Sequence, residues 1–366
     1  MKKILITGAM ALLVSSLAYG MDFNLDALTD MTYTSFMKND GYNIMAEHIT
    51  PQAAGAFEEL RLKAKQQVDQ VKFDFVGWIK GYPGRESVDY AIDSAYFSVE
   101  NGPFVFYAGK QRIKWGTGLF WNPVDSLQPN PLDIYRPSED LEGIYALRAE
   151  LSNDIVTPSV IITPKPGAPY KGLDAAIQLY KLVGTCDIFL NYIYDTDSQN
   201  IGAAISWDLG VFVLNGQAAL KQVQGSSEYK LGNKGFDSSY MAGITKTISD
   251  ELSVVAEYYR NSTGMSNNDY SSAISSRTIP VFLSKKDYLA YTASYTWNTK
   301  FSISFTGLHG LDDGTSFLFP AVSYVENTGY DAQLALLQNI SANGVKEGID
   351  TAPIYGTVEL RFNAYF

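Results

Sequence analysis

The chain has 366 residues, 46% hydrophobic, 13% aromatic and 18% charged, with a formal net charge of −11. Beyond the N-terminus it carries no apolar run of about 18 residues, which excludes a bundle of membrane-spanning helices. Its acidity argues against a nucleic-acid partner, and its hydrophobicity excludes intrinsic disorder.

Residues 1–20 carry the pattern of a secretory signal peptide. Met1-Lys2-Lys3 is a short positive region, Ile4 to Ala18 is apolar apart from small polar residues, and Ala18 and Gly20 supply small residues at a cleavage site. The apolar stretch is short for a membrane span. Cleavage leaves residues 21–366, two charge units more acidic because Lys2 and Lys3 are lost. Cys186 is the single cysteine, so no internal disulfide can form. No linker or low-complexity stretch divides the mature chain, and one domain is expected over 21–366.

What recurs along that domain is a segment of about ten residues with period-two alternation, closed by a turn signal. Residues 56–66 set Ala56, Glu58, Leu60, Leu62 and Ala64 against Phe57, Glu59, Arg61, Lys63 and Lys65. The pattern returns as Tyr145, Leu147, Ala149, Leu151, as Cys186, Ile188, Leu190, Tyr192, Tyr194, as Leu289, Tyr291, Ala293, Tyr295, Trp297, and as Phe301, Ile303, Phe305. Aromatic residues gather toward the strand ends, where an interfacial girdle would need them.

The connections separate a barrel from a sandwich. Tight turns fall at Asn101-Gly102, Asn153-Asp154, Gly184, Leu209-Gly210, Ser249-Asp250 and Asn298-Thr299. Longer polar stretches fall near 35–54, 116–142, 222–238, 262–285 and 340–353. Short and long connections therefore alternate, as in a membrane barrel with tight periplasmic turns and long outer loops. In hydrocarbon every backbone polar group must be paired within the protein, so strands span only as a closed barrel. The count predicts an all-β, transmembrane, antiparallel up-and-down β-barrel of 18 strands, with 16 as the alternative. At that size side chains do not fill the interior, and an aqueous lumen is expected.

The last segment, Val358 to Phe366, alternates an apolar face ending in Phe362, Ala364 and Phe366 with Glu359, Arg361, Asn363 and Tyr365. It resembles the C-terminal targeting strand of bacterial outer-membrane barrels. The resemblance implies that Phe362 and Phe366 are recognised by the barrel-assembly machinery, that the chain sits in the outer membrane of a diderm bacterium, and that outer-membrane lipid surrounds it.

The stretch Lys110 to Asp125 is the most informative. Its first part continues the strand that begins at Pro103, with Lys110, Arg112 and Lys114 on one face and Gln111, Ile113 and Trp115 on the other. Cations at mid-depth against lipid cost about 2–4 kcal/mol each, so that face is expected to meet a wet lumen. Arg61, Lys63 and Lys65 form a second basic row. Beyond Trp115-Gly116-Thr117-Gly118 the loop at 116–142 is rich in proline and in acids, among them Asp125, Asp133, Glu139 and Asp140.

Arg112, Trp115, Gly116, Gly118, Trp121, Asn122, Pro123 and Asp125 resemble the R-x-x-W-G-x-G-x-x-W-N-P-x-D stretch of porin-like families. The motif covers about fourteen residues and assigns no subfamily. General porins fold their third loop inward, acids facing basic wall residues. The resemblance implies the same here: a constriction in which Arg61, Lys63, Lys65, Lys110, Arg112 and Lys114 face Asp125, Asp133, Glu139 and Asp140. General porins are commonly trimers, but no subunit interface is legible.

Blander readings stand beside these. The cations can lie among lipid headgroups, the loop can cap the barrel from outside, and Trp115 and Trp121 are expected as interfacial anchors rather than sugar-stacking platforms. Asp125, Asp133 and Glu142 lack the spacing of a Ca²⁺ loop, so no metal is assigned. His48 and His309 are the only histidines and lack flanking catalytic motifs, and no phosphate loop or dinucleotide fingerprint occurs, so neither an enzyme nor a cofactor is expected. The leading expectation is a porin passing small hydrophilic solutes or ions by diffusion. The alternatives are a surface-displayed adhesin or structural barrel, and a substrate-specific channel, for which Tyr288 and Tyr365 offer only a sparse aromatic track.

Overall fold

A computed structural model describes residues 22–35, 55–81, 88–127, 143–164, 173–195, 198–223, 237–262, 286–312, 315–326, 330–341 and 356–365, with backbone alone for 22–35, 55–58, 315, 337–341 and 356–365. The expected signal peptide and Phe366 lie outside the described residues.

The strands are β1 (Asp22–Ser35), β2 (Gly55–Val68), β3 (Val71–Gly81), β4 (Val88–Asn101), β5 (Phe104–Gln111), β6 (Ile144–Leu151), β7 (Thr157–Pro164), β8 (Leu173–Val183) and β9 (Cys186–Asp195). They continue with β10 (Ser198–Asp208), β11 (Val213–Val223), β12 (Asp237–Thr247), β13 (Leu252–Asn261), β14 (Asp287–Thr296), β15 (Phe301–Gly310), β16 (Thr315–Glu326), β17 (Tyr330–Ser341) and β18 (Gly356–Tyr365). Each pairs antiparallel with its sequence neighbours in one 18-stranded sheet. β1 pairs with β2 on one side and β18 on the other, Asp26 facing both Arg61 and Tyr365, so the sheet closes without a free edge. The up-and-down barrel and its strand number match the reading of the sequence.

Period-two alternation makes these segments strands and also sorts their faces. On β7, Val160 and Ile162 point outward and are exposed, while Ser159, Ile161 and Thr163 are buried inside. On β15, Phe301, Ile303 and Phe305 form part of the same outer apolar belt. One end of the barrel carries hairpins: 69–70, 102–103, 152–156, 184–185, 209–212, 248–251 and 297–300, together with the connection 327–329. All six turns expected from the sequence fall there. Gly184 shows why such residues mark them, since its φ of +62° is a conformation a Cβ disfavours. The opposite end carries the longer connections, except that β9 to β10 and β15 to β16 are joined by only 196–197 and 311–314.

β5 is short, and the sequence overextended it: the strand ends at Gln111, where the chain leaves the wall, rather than running on to Trp115. The wall is repaired behind it. Gln111 donates from Nε2 to the Ala146 carbonyl at 2.8 Å, and the Gly143 N–H donates to the Asp93 carbonyl on β4 at 2.8 Å. Asp93 is the extra residue of a bulge, because Val76 pairs with Ser94 while Gly77 pairs with Ile92. The bulge turns Asp93 and Ser94 both toward the interior, where both are buried.

Candidate functional site

Residues 112–127 pass from the end of β5 into the barrel and lie against its inner wall. Ile113, Trp115 and Val124 pack on Ala146, Ile161, Ala176, Ile193, Ala204 and Ala219, which come from the six successive strands β6 to β11. Phe120 and Trp121 pack on Met241, Tyr288, Ala290, Leu308, Phe317 and Phe319 of β12 and β14 to β16. Trp121 stacks on Tyr259 of β13, with ring centroids 5.5 Å apart and planes 14° apart. The segment thus spreads over the inner faces of eleven consecutive strands, β6 to β16.

The motif closes this segment on itself. Asn122 accepts from the Gly118 N–H at 2.8 Å through Oδ1 and donates through Nδ2 to the Gly118 carbonyl at 3.1 Å. Asp125 accepts from the Trp115 N–H at 3.1 Å, and its own N–H donates to the Asn122 carbonyl at 2.9 Å. Gly116 has a φ of +101°, and a Cβ there would fall 2.4 Å from Asn122 Oδ1. A Cβ on Gly118 would fall 2.0 Å from the Trp121 carbonyl oxygen. The spacing of the motif is therefore the spacing of a compact turn. Pro123 lies within it, half-buried between Asn122 and the buried Val124.

Polar contacts tie the turn to the wall. Glu257 of β13 accepts from three successive backbone N–H groups, those of Leu119 at 2.5 Å, Phe120 at 2.9 Å and Trp121 at 3.2 Å. Asn200 donates to Ser126 Oγ at 2.6 Å, the side-chain amides of Gln217 and Asn122 meet at 2.9 Å, and Thr117 donates to the Ile205 carbonyl at 3.3 Å. Sequence reasoning passed over Glu257, Asn200 and Gln217. The only local signal was a lone acid in the otherwise apolar and aromatic run Val254 to Tyr259.

The described inner faces that the segment leaves uncovered are those of β2 to β5 and β17, and the charges cluster on β2 to β5. Glu59 lies buried between Arg61 at 2.8 Å and Lys80 at 3.2 Å, and its side chain is 3% exposed against 13% and 22% for the two cations. Arg112 meets Asp93 at 2.8 Å with the same layering, the arginine 31% and the carboxylate 8% exposed. Trp78 joins the two pairs: its Nε1–H donates to Asp93 at 2.9 Å, and Lys80 Nζ lies 5.1 Å from its ring. Lys65 pairs with Asp74 at 3.7 Å, Lys63 is half-buried on the same face as Arg61, and Lys114 is exposed on the inward segment. Toward the hairpin end Lys72 pairs with Glu100 and Arg148 with Glu150.

Several sequence-stated placements change. Lys110, Arg112 and Lys114 do not share a face, because the strand ends between them. Lys110 stays on the side of Phe104, Phe106 and Ala108, with Nζ 5.8 Å from the ring of Tyr145, while Gln111 turns inward. Asp125 is buried as a cap inside the turn rather than facing the basic wall. Trp115 and Trp121 are buried anchors of the inward segment, not interfacial residues. Asp133, Glu139 and Asp140 lie outside the described residues, as does His48. His309 contacts Ser316 Oγ at 2.7 Å and the Tyr291 hydroxyl at 3.3 Å on the outward face, and no carboxylate among the described residues bonds to it. No metal-binding cluster occurs among the described residues.

No protein-family model matches this chain, and no curated protein does. Solved structures do. OccK11 (OpdR) of Pseudomonas aeruginosa superposes with a TM-score of 0.64 over 95% of this chain and 96% of its own, at 9% identity. OccK5 (OpdH) of the same organism gives 0.60 over 94% and 98%, at 11% identity. A triple mutant of the Rhodopseudomonas blastica porin gives 0.52 over 94% and 100%, at 11% identity. The likeness extends over nearly the whole chain and shows a shared barrel fold.

Proposed function

We propose that the chain is an outer-membrane diffusion channel for small hydrophilic solutes and ions. The observation that carries this reading is the asymmetry of the interior. The inward segment covers the walls of β6 to β16, and the charged inner faces of β2 to β5 are left beside it, where a wet path fits. A barrel of this strand number encloses more space than side chains fill. Selectivity in such a path follows from the charges that line it.

In this reading the cations stand between solute and wall. Glu59 and Asp93 are buried beneath Arg61, Lys80 and Arg112, so a permeating ion meets guanidinium and ammonium groups first. The described wall therefore favours anions, with Lys63, Lys65 and Lys114 contributing to the same field. Asp133, Glu139 and Asp140 remain candidates for the opposing acidic side. Export by a cleaved leader at 1–20, outer-membrane insertion through the C-terminal strand ending at Phe362 and Phe366, and assembly as a homotrimer complete the proposal. The leader rests on the pattern of residues 1–20, and insertion and trimer on the sequence resemblance.

The test is single-channel recording of the refolded mature chain in a planar bilayer, with the reversal potential measured across a salt gradient. Stepwise conductance with a potential of anionic sign is the expected result. A folded barrel that gives no conductance would move the reading to a surface-display or structural barrel.

A further inference from the structure

Glu257 is one of the most deeply buried charged groups of the barrel, 1% exposed, and it lies on the inner face of a strand whose lumen side is covered by the inward segment. Its two carboxylate oxygens receive three consecutive peptide N–H groups, from residues 119–121. Successive N–H groups converging on one point make an anion-binding concavity, and hydrogen bonds to a charged acceptor are about twice as strong as neutral ones. The opposite wall position is a glycine: a Cβ at Gly243 would lie 2.9 Å from Glu257 Cγ, so β12 leaves the space in which the glutamate side chain bends. Of the other wall contacts described above, the Arg112–Asp93 pair at the root of the segment is charged, and those farther along the segment are apolar or join neutral groups.

From this geometry we infer that Glu257 is the latch that holds the inward segment against the wall and so sets the width of the open side. It is a positioning residue, acting on solutes only through the segment it holds. The inference rests on the channel reading for its effect on current, but not for its effect on the segment. A carboxylate is required because three donors must be met by acceptors alone. A glutamine turns an amide NH₂ toward at least one of those N–H groups, leaving donor against donor.

The test uses the full mature chain carrying Glu257→Gln, read in two ways. Single-channel current is expected to be larger and noisier than in the unsubstituted chain, with sub-states. In a Cys186→Ser background, a cysteine placed by Leu119→Cys is expected to react with a water-soluble maleimide about tenfold faster or more when Glu257→Gln is added.

A second pair re-ties the segment independently of the latch. A Cβ at Gly202 would stand 3.1 Å from Val124 Cβ, so Val124→Cys with Gly202→Cys can bridge segment and wall once the two separate by about 0.4 Å or more to reach disulfide spacing. Oxidation is expected to restore the normal current in Glu257→Gln, and reduction within the bilayer to abolish that rescue. If Glu257→Gln alone fails to fold, the oxidised triple variant is folded first and the latch is read on reduction. Unchanged labelling overturns the latch, as does, in a chain that conducts, unchanged current on reduction. Faster labelling without any channel current in the unsubstituted chain upholds the latch and overturns the channel reading.

Discussion

The charge layering on β2 to β4 makes a prediction in which sign matters more than size. Glu59, Arg61 and Lys80 form one cluster of net charge +1, and Arg112 with Asp93 forms a neutral pair. Glu59→Gln takes the first cluster to +2 while leaving its exposed cations in place, whereas Arg61→Gln takes it to zero. An ion passing roughly 5 Å from one unit charge in water gains about 0.8 kcal/mol, which screening at physiological salt reduces to about 0.4. Because the same charge repels a cation by as much as it attracts an anion, each substitution should change the anion-to-cation permeability ratio by about fourfold at physiological salt and by up to about sixteenfold at low salt. The two changes must run in opposite directions. The assay is the reversal potential of single channels across a potassium chloride gradient, repeated at two ionic strengths. Asp93→Asn and Arg112→Gln supply an independent pair with the same opposition of sign. If Glu59→Gln and Arg61→Gln move the potential in the same direction, or leave it unmoved, the inner face of β2 does not border the permeation path.

Three further outcomes follow from the inward segment and the chain end. Trp121→Ala removes a buried ring stacked on Tyr259 and should cost the segment about 3–5 kcal/mol of anchoring, read as protease cleavage between 112 and 127 in a barrel that still resists unfolding in detergent. Gly118→Val places side-chain carbon where the Trp121 carbonyl already lies, so the barrel should assemble while open-channel noise rises as in a released segment. Deleting Phe366 should lower the amount of heat-modifiable barrel recovered from outer membranes without changing the amount of chain exported, separating insertion from secretion.

Most of the barrel was legible because membrane burial writes a simple rule into sequence. A strand between lipid and lumen must alternate, and a hairpin that reverses it needs residues such as Gly184, tolerant of positive φ. What alternation cannot report is whether a strand stays in the wall. Lys110 to Trp115 keeps the two-residue period of β5, although the outward face of Phe104 and Phe106 turns basic at Lys110, and the strand ends at Gln111, beyond which the Gly143 N–H donates to the Asp93 carbonyl of β4. Asp125 was misplaced for a related reason. An acid in a proline-rich loop looks solvated until its partner is seen to be the Trp115 N–H ten residues back. Glu257 was invisible in a different sense, since the groups that need it lie 136 to 138 residues away. No local window joins them.

A trace of the covered wall is nonetheless present in the sequence. Where the lumen side of a strand is wet, as on β2, inner positions read Glu59, Arg61, Lys63 and Lys65. Where the segment lies against the wall, inner positions turn apolar or small: Ile161 on β7, Ala176 on β8, Gly202 and Ala204 on β10, Ala219 on β11, Ala290 on β14, Phe317 and Phe319 on β16. The outer positions of the same strands stay apolar for lipid, as with Ile201 and Ile205 on β10. Two apolar faces on one strand normally indicate a buried parallel sheet. In a closed antiparallel barrel they have another cause, a part of the chain folded inside. Small side chains recur because the segment approaches the wall closely: Val124 would stand 2.9 Å from a Cβ at Gly202. Apolar or small inner positions at the level of the segment on β7 to β16, against charged inner positions on β2, thus place the inward segment on one side of the barrel and the charged wall on the other.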